Sequence, residues 1–131
     1  MNLSIDRQTI LITGAAGRIG SAIARSLHDS GASLVLTDIN TSSLETIANQ
    51  LSSNKVLILP SDITSERGIE TVLSNAIKHY HRIHSVVHCA YPRTEDWGTR
   101  IEDLQERSLS KNLSMHVLLR LSIQSGEQET V

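Results

Sequence analysis

The sequence predicts an α/β fold, a doubly wound parallel sheet of about four strands, from three observations. Short β-branched runs alternate with longer stretches of helical period. The runs are apolar at nearly every position, as parallel strands buried on both faces require, and a glycine cluster sits where the first run hands over to the first helix. Alternation at these lengths implies right-handed crossovers and a spatial strand order of 3-2-1-4.

Each element follows from its local pattern. TILIT (Thr9–Thr13) reads as a buried strand, and GRIGSAIARSLHDSG places Ile19, Ile23 and Leu27 at four-residue steps on an amphipathic helix that Gly31 stops. SLVLTD (Ser33–Asp38) is the second strand. TSSLETIANQLSS is the second helix, with Ser42 and Glu45 spaced as a capping box and Leu44, Ile47, Ala48 and Leu51 on one face. KVLILP (Lys55–Pro60) is a third strand closed by proline. SERGIETVLSNAIKHY sets Ile69, Val72, Leu73, Ala76 and Ile77 in a helical stripe and leads into the fourth strand, HSVVH (His84–His88). After an irregular stretch from Cys89 to about Arg100, IEDLQERSLSKNLSMHVLLRLSI reads as one helix, with Leu109, Leu113, Val117 and Leu121 at successive four-residue steps.

The 131 residues fit one domain, 1–131, and 39% hydrophobic with 20% charged residues is ordinary for a globular chain. A net charge of −2 without any run of Lys or Arg gives no field for phosphate backbones or anionic lipid, so neither nucleic acid nor membrane is an expected partner. Asp6 and Arg7 precede an apolar run too short for a signal peptide, and the single cysteine, Cys89, permits no internal disulfide; the expected compartment is the cytoplasm.

TGAAGRIG supplies Gly14, Gly17 and Gly20 at the strand-to-helix turn. In a dinucleotide site the first glycine permits the tight turn, the second lets the main chain approach a pyrophosphate, and the third lets helix and strand pack closely. Ala16, Gly17, Arg18, Ile19 and Gly20 then form the cradle, their amides and the helix dipole facing the phosphates. Asp38 ends the second strand about 20 residues on, where a carboxylate accepts from the adenosine ribose and repels a 2′-phosphate. It favours NAD over NADP, whereas Arg18 argues the other way.

TGAAGRIG, LTDI, PSDIT and VVHCAYPR together resemble, in order and spacing, the short-chain dehydrogenase/reductase family of Rossmann-fold NAD(P)-dependent oxidoreductases, from about Thr9 to about Met115. The resemblance implies that Asp38 and Ile39 and then Asp62 and Ile63 flank the adenosine. It also implies that Ala90 and Tyr91 of HCAY, in the place of the family's Asn-Asn-Ala-Gly segment, pass close to the cofactor. Asn112 of KNLS aligns with the active-site asparagine that holds a water in the proton relay. TGxxGxxG is also similar to the extended branch, whose epimerases and dehydratases act on nucleotide sugars. AYPR, WG and KNLSMH look most like a smaller group associated with bacterial surface-sugar and flagellin modification.

The family's chemistry uses a serine and a tyrosine four residues before a lysine. Here Tyr80 and Tyr91 are followed at that spacing by His84 and Glu95. The expectation is therefore the N-terminal portion of a longer reductase, homo-oligomeric in its full-length form. The parent transfers hydride to or from a hydroxyl or carbonyl of a small, sugar-derived substrate; this chain holds NAD without turning over. The rival readings are a non-catalytic NAD-binding or interaction module and the front half of an extended-type epimerase or dehydratase. His79, His81, His84 and His88 lie close in sequence but fall on a helix end and the two ends of a strand, so no metal is expected. Cys89 is expected to be a packed thiol, and Trp97 either lines a substrate pocket or covers the core edge.

Overall fold

A computed structural model of the protein describes residues 4–116. Its strands are β1 (Thr9–Thr13), β2 (Ser33–Thr37), β3 (Val56–Ile58) and β4 (Ser85–His88); its helices are α1 (Arg18–Asp29), α2 (Thr41–Leu51), α3 (Glu66–Tyr80) and α4, described over residues 106–116. The four strands form one parallel sheet in the order β3-β2-β1-β4, as the alternation predicts.

Strand periodicity divides the core in two. Ile10, Ile12, Leu34 and Leu36 point to the face covered by Ala24 of α1 and by Leu44 and Ile47 of α2. Leu11 and Val35 point to the opposite face, which Ile69, Val72, Leu73 and Ala76 of α3 cover. Every β1 residue is buried, so β1 is the spine of the sheet. Fully burying a side chain of this size contributes about 1.5–3 kcal/mol, and these residues supply it on both faces.

Several local expectations are corrected. Ile19 does not continue the buried stripe of α1: it is 71% exposed, and Gly20 and Ala24 make the buried contact. The close helix–strand approach selects the smallest side chains on that face. The Ser42–Glu45 capping box is not formed. Asn40 caps α2 instead, its Oδ1 accepting from the Ser43 amide and the Ser42 hydroxyl at 3.0 Å each. Asparagine is among the strongest N-caps, and it starts the helix two residues before Ser42.

The last segment is not one helix. A 3-10 turn at Ile101–Asp103 ends in extended Leu104 (φ −74°, ψ 124°), and the helix begins anew at 106. Leu109 and Leu113 face outward, 44% and 58% exposed, because the inward positions are taken by Ser108 and Asn112. Val117 and Leu121 lie outside the described residues.

The cap assignment has a direct test. Asn40→Ala should cost about 1 kcal/mol in urea unfolding and Ser42→Ala about 0.5 kcal/mol or less; the reverse ranking would restore the Ser42–Glu45 box.

Candidate dinucleotide site

At the carboxyl end of β1 the chain turns through Gly14, whose φ of +62° favours glycine. A Cβ there would also lie 2.6 Å from the Ala90 amide nitrogen and 2.7 Å from its Cα. Gly20 is required for another reason: a Cβ would strike the Gly14 carbonyl and come within 2.9 Å of Ala15 Cα. Gly17 differs from both. It is exposed, its φ of −75° suits any residue, and a Cβ would meet nothing closer than the Gly14 carbonyl at 3.4 Å. The protein's own packing does not demand a glycine there.

Gly17 is the N-cap of α1, and no side chain caps that helix nor does an acidic residue stand in its first turn. By contrast Asn40 caps α2 and Ser65 caps α3 through their side chains. The open N–H groups at the start of α1 therefore present a positive dipole end to the cleft.

Asp38 is half-buried just past β2. Its Oδ2 accepts from the Ala16 amide and its Oδ1 from the Asn40 amide, each at 3.0 Å, so it braces the glycine turn and the entry to α2 together. A carboxylate offers about four acceptor sites, and these bonds leave capacity for a ligand hydroxyl. The Ser61 amide donates to the Asp38 carbonyl at 3.0 Å, drawing the β3 exit alongside. Asp62 next to it is exposed and closes a local turn, its Oδ1 accepting from the Thr64 amide at 2.9 Å and hydroxyl at 2.6 Å.

The exit of β4 is clasped to β1. Thr13 Oγ1 lies 2.6 Å from His88 Nδ1, the Cys89 amide donates to the Thr13 carbonyl at 3.0 Å, and the Ala90 amide reaches Thr13 Oγ1 at 3.4 Å. At the other end His84 Nδ1 accepts from the Thr9 amide at 2.9 Å. Two of the four clustered histidines thus fasten a strand, while His81 takes the left-handed C-cap of α3. Among the described residues no group of three or more His, Cys, Asp or Glu is placed to hold a metal ion. Burial pushes the Cys89 thiol up from its ordinary pKa.

These segments enclose a cleft of about 470 Å³ at the carboxyl ends of the strands. Of the residues read from sequence, Gly14, Gly17, Asp38, Ile39, Asp62, Ile63, Ala90 and Tyr91 line it. Ala16, Arg18, Ile19 and Gly20 do not; they build the turn behind. Ser61, Thr64, Cys89, Pro92, Arg93 and Met115 also line the cleft; they lie within PSDIT, VVHCAYPR and KNLSMH but were not singled out as site residues.

Asn112 stands apart from the cleft lining. It is 1% exposed; its Nδ2 donates to Thr94 Oγ1 at 2.7 Å and the Ser108 carbonyl at 2.9 Å, and its Oδ1 accepts from the Thr94 amide at 3.0 Å. Both amide protons are thereby engaged in tying α4 to the loop after β4. Tyr91 is exposed at the mouth, edge-on to Trp97 (5.9 Å between ring centres) and tilted against His116 (4.5 Å). Tyr80, in contrast, packs against the core under α3, and burial raises its phenol pKa. No helix among the described residues is long and apolar enough to cross a membrane.

Comparison with known proteins agrees with this fold. Post-translational flagellin modification protein A of Campylobacter coli is 26% identical over 117 residues, 86% of this chain and 46% of that protein. The enoyl-(acyl-carrier-protein) reductase (NADH) of Bacillus subtilis is 35% identical over 94 residues, 68% of this chain and 36% of that protein. Among solved structures, a short-chain dehydrogenase/reductase of Brucella melitensis, described as a glucose/ribitol dehydrogenase, has a TM-score of 0.88 at 24% identity, covering 100% of this chain and 53% of that one. A 3-ketoacyl-(acyl-carrier-protein) reductase from the same organism, complexed with NADH, has a TM-score of 0.77 at 17% identity, over 93% of this chain and 49% of that one. At such identities these structures speak to the fold. The chain spans about half the length, or less, of each of these proteins. The family pattern described as short chain dehydrogenase matches residues 8–117, which include the glycine turn, Asp38 and the β4 exit, and the chain belongs to that family.

Proposed function

We propose that the cleft binds a nicotinamide dinucleotide, NAD in preference to NADP, and that this chain is the cofactor-holding part of an oxidoreductase acting on a hydroxyl or carbonyl group of a small, sugar-derived substrate. The observation that carries the reading is Gly17. Gly14 and Gly20 are explained by the chain's own packing, but a Cβ at Gly17 would only touch the Gly14 carbonyl at 3.4 Å, and the use for its absence in the cleft wall is an approaching ligand.

The residues present fit such a group. The uncapped start of α1 suits a pyrophosphate. Asp38, held rigid by Ala16 and Asn40, is positioned to accept from ribose hydroxyls and to repel a 2′-phosphate. Ile63 and Asp62 wall the adenosine end, and Ala90 and Tyr91 the other. When bound, the nicotinamide ring supplies hydride transfer. Asn112 serves this chain as a positioning residue: with both amide protons engaged, it fixes the loop that carries the cleft's far wall. Tyr80 and Tyr91, the two tyrosines, are followed at four residues by His84 and Glu95, so the role proposed for these 131 residues is cofactor binding.

Three measurements test it. Gly17→Ser supplies a better N-cap, so chemical stability should hold or rise by a few tenths of a kcal/mol, while calorimetric NAD affinity falls by about 1.4 kcal/mol or more, a factor of ten. Undiminished binding by this variant would remove the pyrophosphate from the turn. Asp38→Ala should weaken NAD by about 1–3 kcal/mol and raise NADP affinity relative to NAD; an unchanged ratio dissociates Asp38 from the ribose. Because burial raises the Cys89 pKa, its thiolate fraction near neutral pH lies below that of a free cysteine. Iodoacetamide labelling should therefore be slow at pH 7, keep climbing past about pH 8.5, and slow again under saturating NAD. A rate that levels off near neutrality, or one indifferent to NAD, contradicts the assignment.

A further inference from the structure

Arg93 belongs to two cavities. It lines the dinucleotide cleft and also a neighbouring basin of about 610 Å³ between the loop after β4 and α4. Arg107 and Lys111 of α4 join it in that basin, beside Glu95 and Asp96. All three are exposed, and none has a carboxylate partner among the described residues. The ion pairs among the described residues are Asp6–Arg7, His28–Asp29 and Arg100–Glu102, all outside the basin. Asp96 Oδ1 is taken by the Thr94 hydroxyl at 2.6 Å. Arg107 gives only its Nε, to Gln105 at 2.8 Å.

The gathering is held in place. Thr94 and Asn112 are locked together by two hydrogen bonds of 3.0 and 2.7 Å, and Asn112 is buried. Arg93 is the chain neighbour of Thr94, and Lys111 is the chain neighbour of Asn112. One buried amide therefore fixes the backbone under two of the three cations, and Arg93 lines both cleft and basin. Guanidinium and ammonium side chains that line one basin without carboxylate partners match an oxyanion, which accepts from several donors at once.

We propose that Arg93, Arg107 and Lys111 form a subsite for an anionic group, a phosphate or carboxylate, of the substrate that meets the cofactor in the adjoining cleft. Naming the ligand a substrate rests on the dinucleotide reading; the anion subsite itself does not. The subsite is separate from the glycine turn, so anion and cofactor bind together rather than compete.

Trp97, the chain's single tryptophan, adjoins Asp96 and serves as the reporter. The full chain is titrated with sodium phosphate at ionic strength held constant with sodium chloride, with and without NAD, and then with glucose 6-phosphate against glucose. NAD binding is measured separately by calorimetry. The expected result is a saturable fluorescence change with phosphate that persists under saturating NAD, and glucose 6-phosphate binding more tightly when NAD is present, with no response to glucose. Arg93→Ala and Lys111→Ala should each weaken phosphate by about two- to fivefold, and the triple variant with Arg107→Ala should lose saturation while keeping its circular dichroism. A response no different from chloride, displacement of phosphate by NAD, or unchanged affinity in the triple variant overturns the subsite. Phosphate binding that depends on the three cations in a chain that fails to bind NAD retains the anion subsite and overturns the dinucleotide reading alone. Glucose 6-phosphate affinity indifferent to bound NAD overturns its assignment to the substrate.

Discussion

The structure depends on one close approach, that of the chain leaving β4 to the chain leaving β1. Gly14 has no Cβ, and the Ala90 backbone occupies the space a Cβ would need. Thr13 sits directly before this contact and spreads it over three bonds, through its carbonyl to Cys89 and its hydroxyl to Ala90 and His88. With both strand ends held level, the sheet has a common carboxyl edge. The cleft exists because the chain on each side of that edge departs in a different direction, toward α1 from β1 and toward Tyr91 from β4. A side chain at Gly14 would push these apart and remove the far wall, whatever the cofactor chemistry of the other residues.

Most of the fold was legible in the sequence because parallel strands buried on both faces leave an unambiguous apolar run. TILIT matches β1 residue for residue, and the strand order follows from the crossover rule. Legibility failed where two patterns competed for one stretch. Ile19 completes a four-residue spacing, yet the positions of α1 fully buried against the sheet are Gly20 and Ala24, with Ile23 and Leu27 packed at their side, and that close approach is invisible to periodicity. Leu109 and Leu113 make a convincing stripe, but the hydrogen bonds of Asn112 turn the neighbouring side of α4 inward. Asn40 outcompetes the Ser42–Glu45 pair simply by preceding it.

The candidate cleft was legible in its glycines and acids and illegible in its fasteners. Gly14, Gly17 and Asp38 announce themselves by type and spacing on one continuous strand–turn–helix segment. The Thr13–His88 clasp joins residues 75 positions apart, and the Asn112–Thr94 pair joins residues 18 apart. Neither is predictable from one sequence, because each partner is locally unremarkable and only the fold brings them together. The histidine cluster illustrates the cost of reading proximity in sequence as proximity in function: His84 and His88 act one at each end of β4, on different β1 residues.

The three glycines and the three helix starts fit a single physical account. Two glycines answer to contacts inside the protein and one does not; two of the first three helices are capped by a side chain and one is not. The exceptions coincide at Gly17, which is both the unconstrained glycine and the N-cap of the uncapped helix. A side-chain cap in place of a glycine contributes only a few tenths of a kcal/mol, so leaving it out costs the fold little. What is gained is a set of unshared N–H groups at the positive end of α1, reachable by a group too large to coexist with a Cβ. On the proposed reading, a chain of net negative charge would hold an anionic ligand without a basic side chain in the turn lining: the attraction would come from oriented backbone dipoles at short range, where the sign of the overall charge matters least.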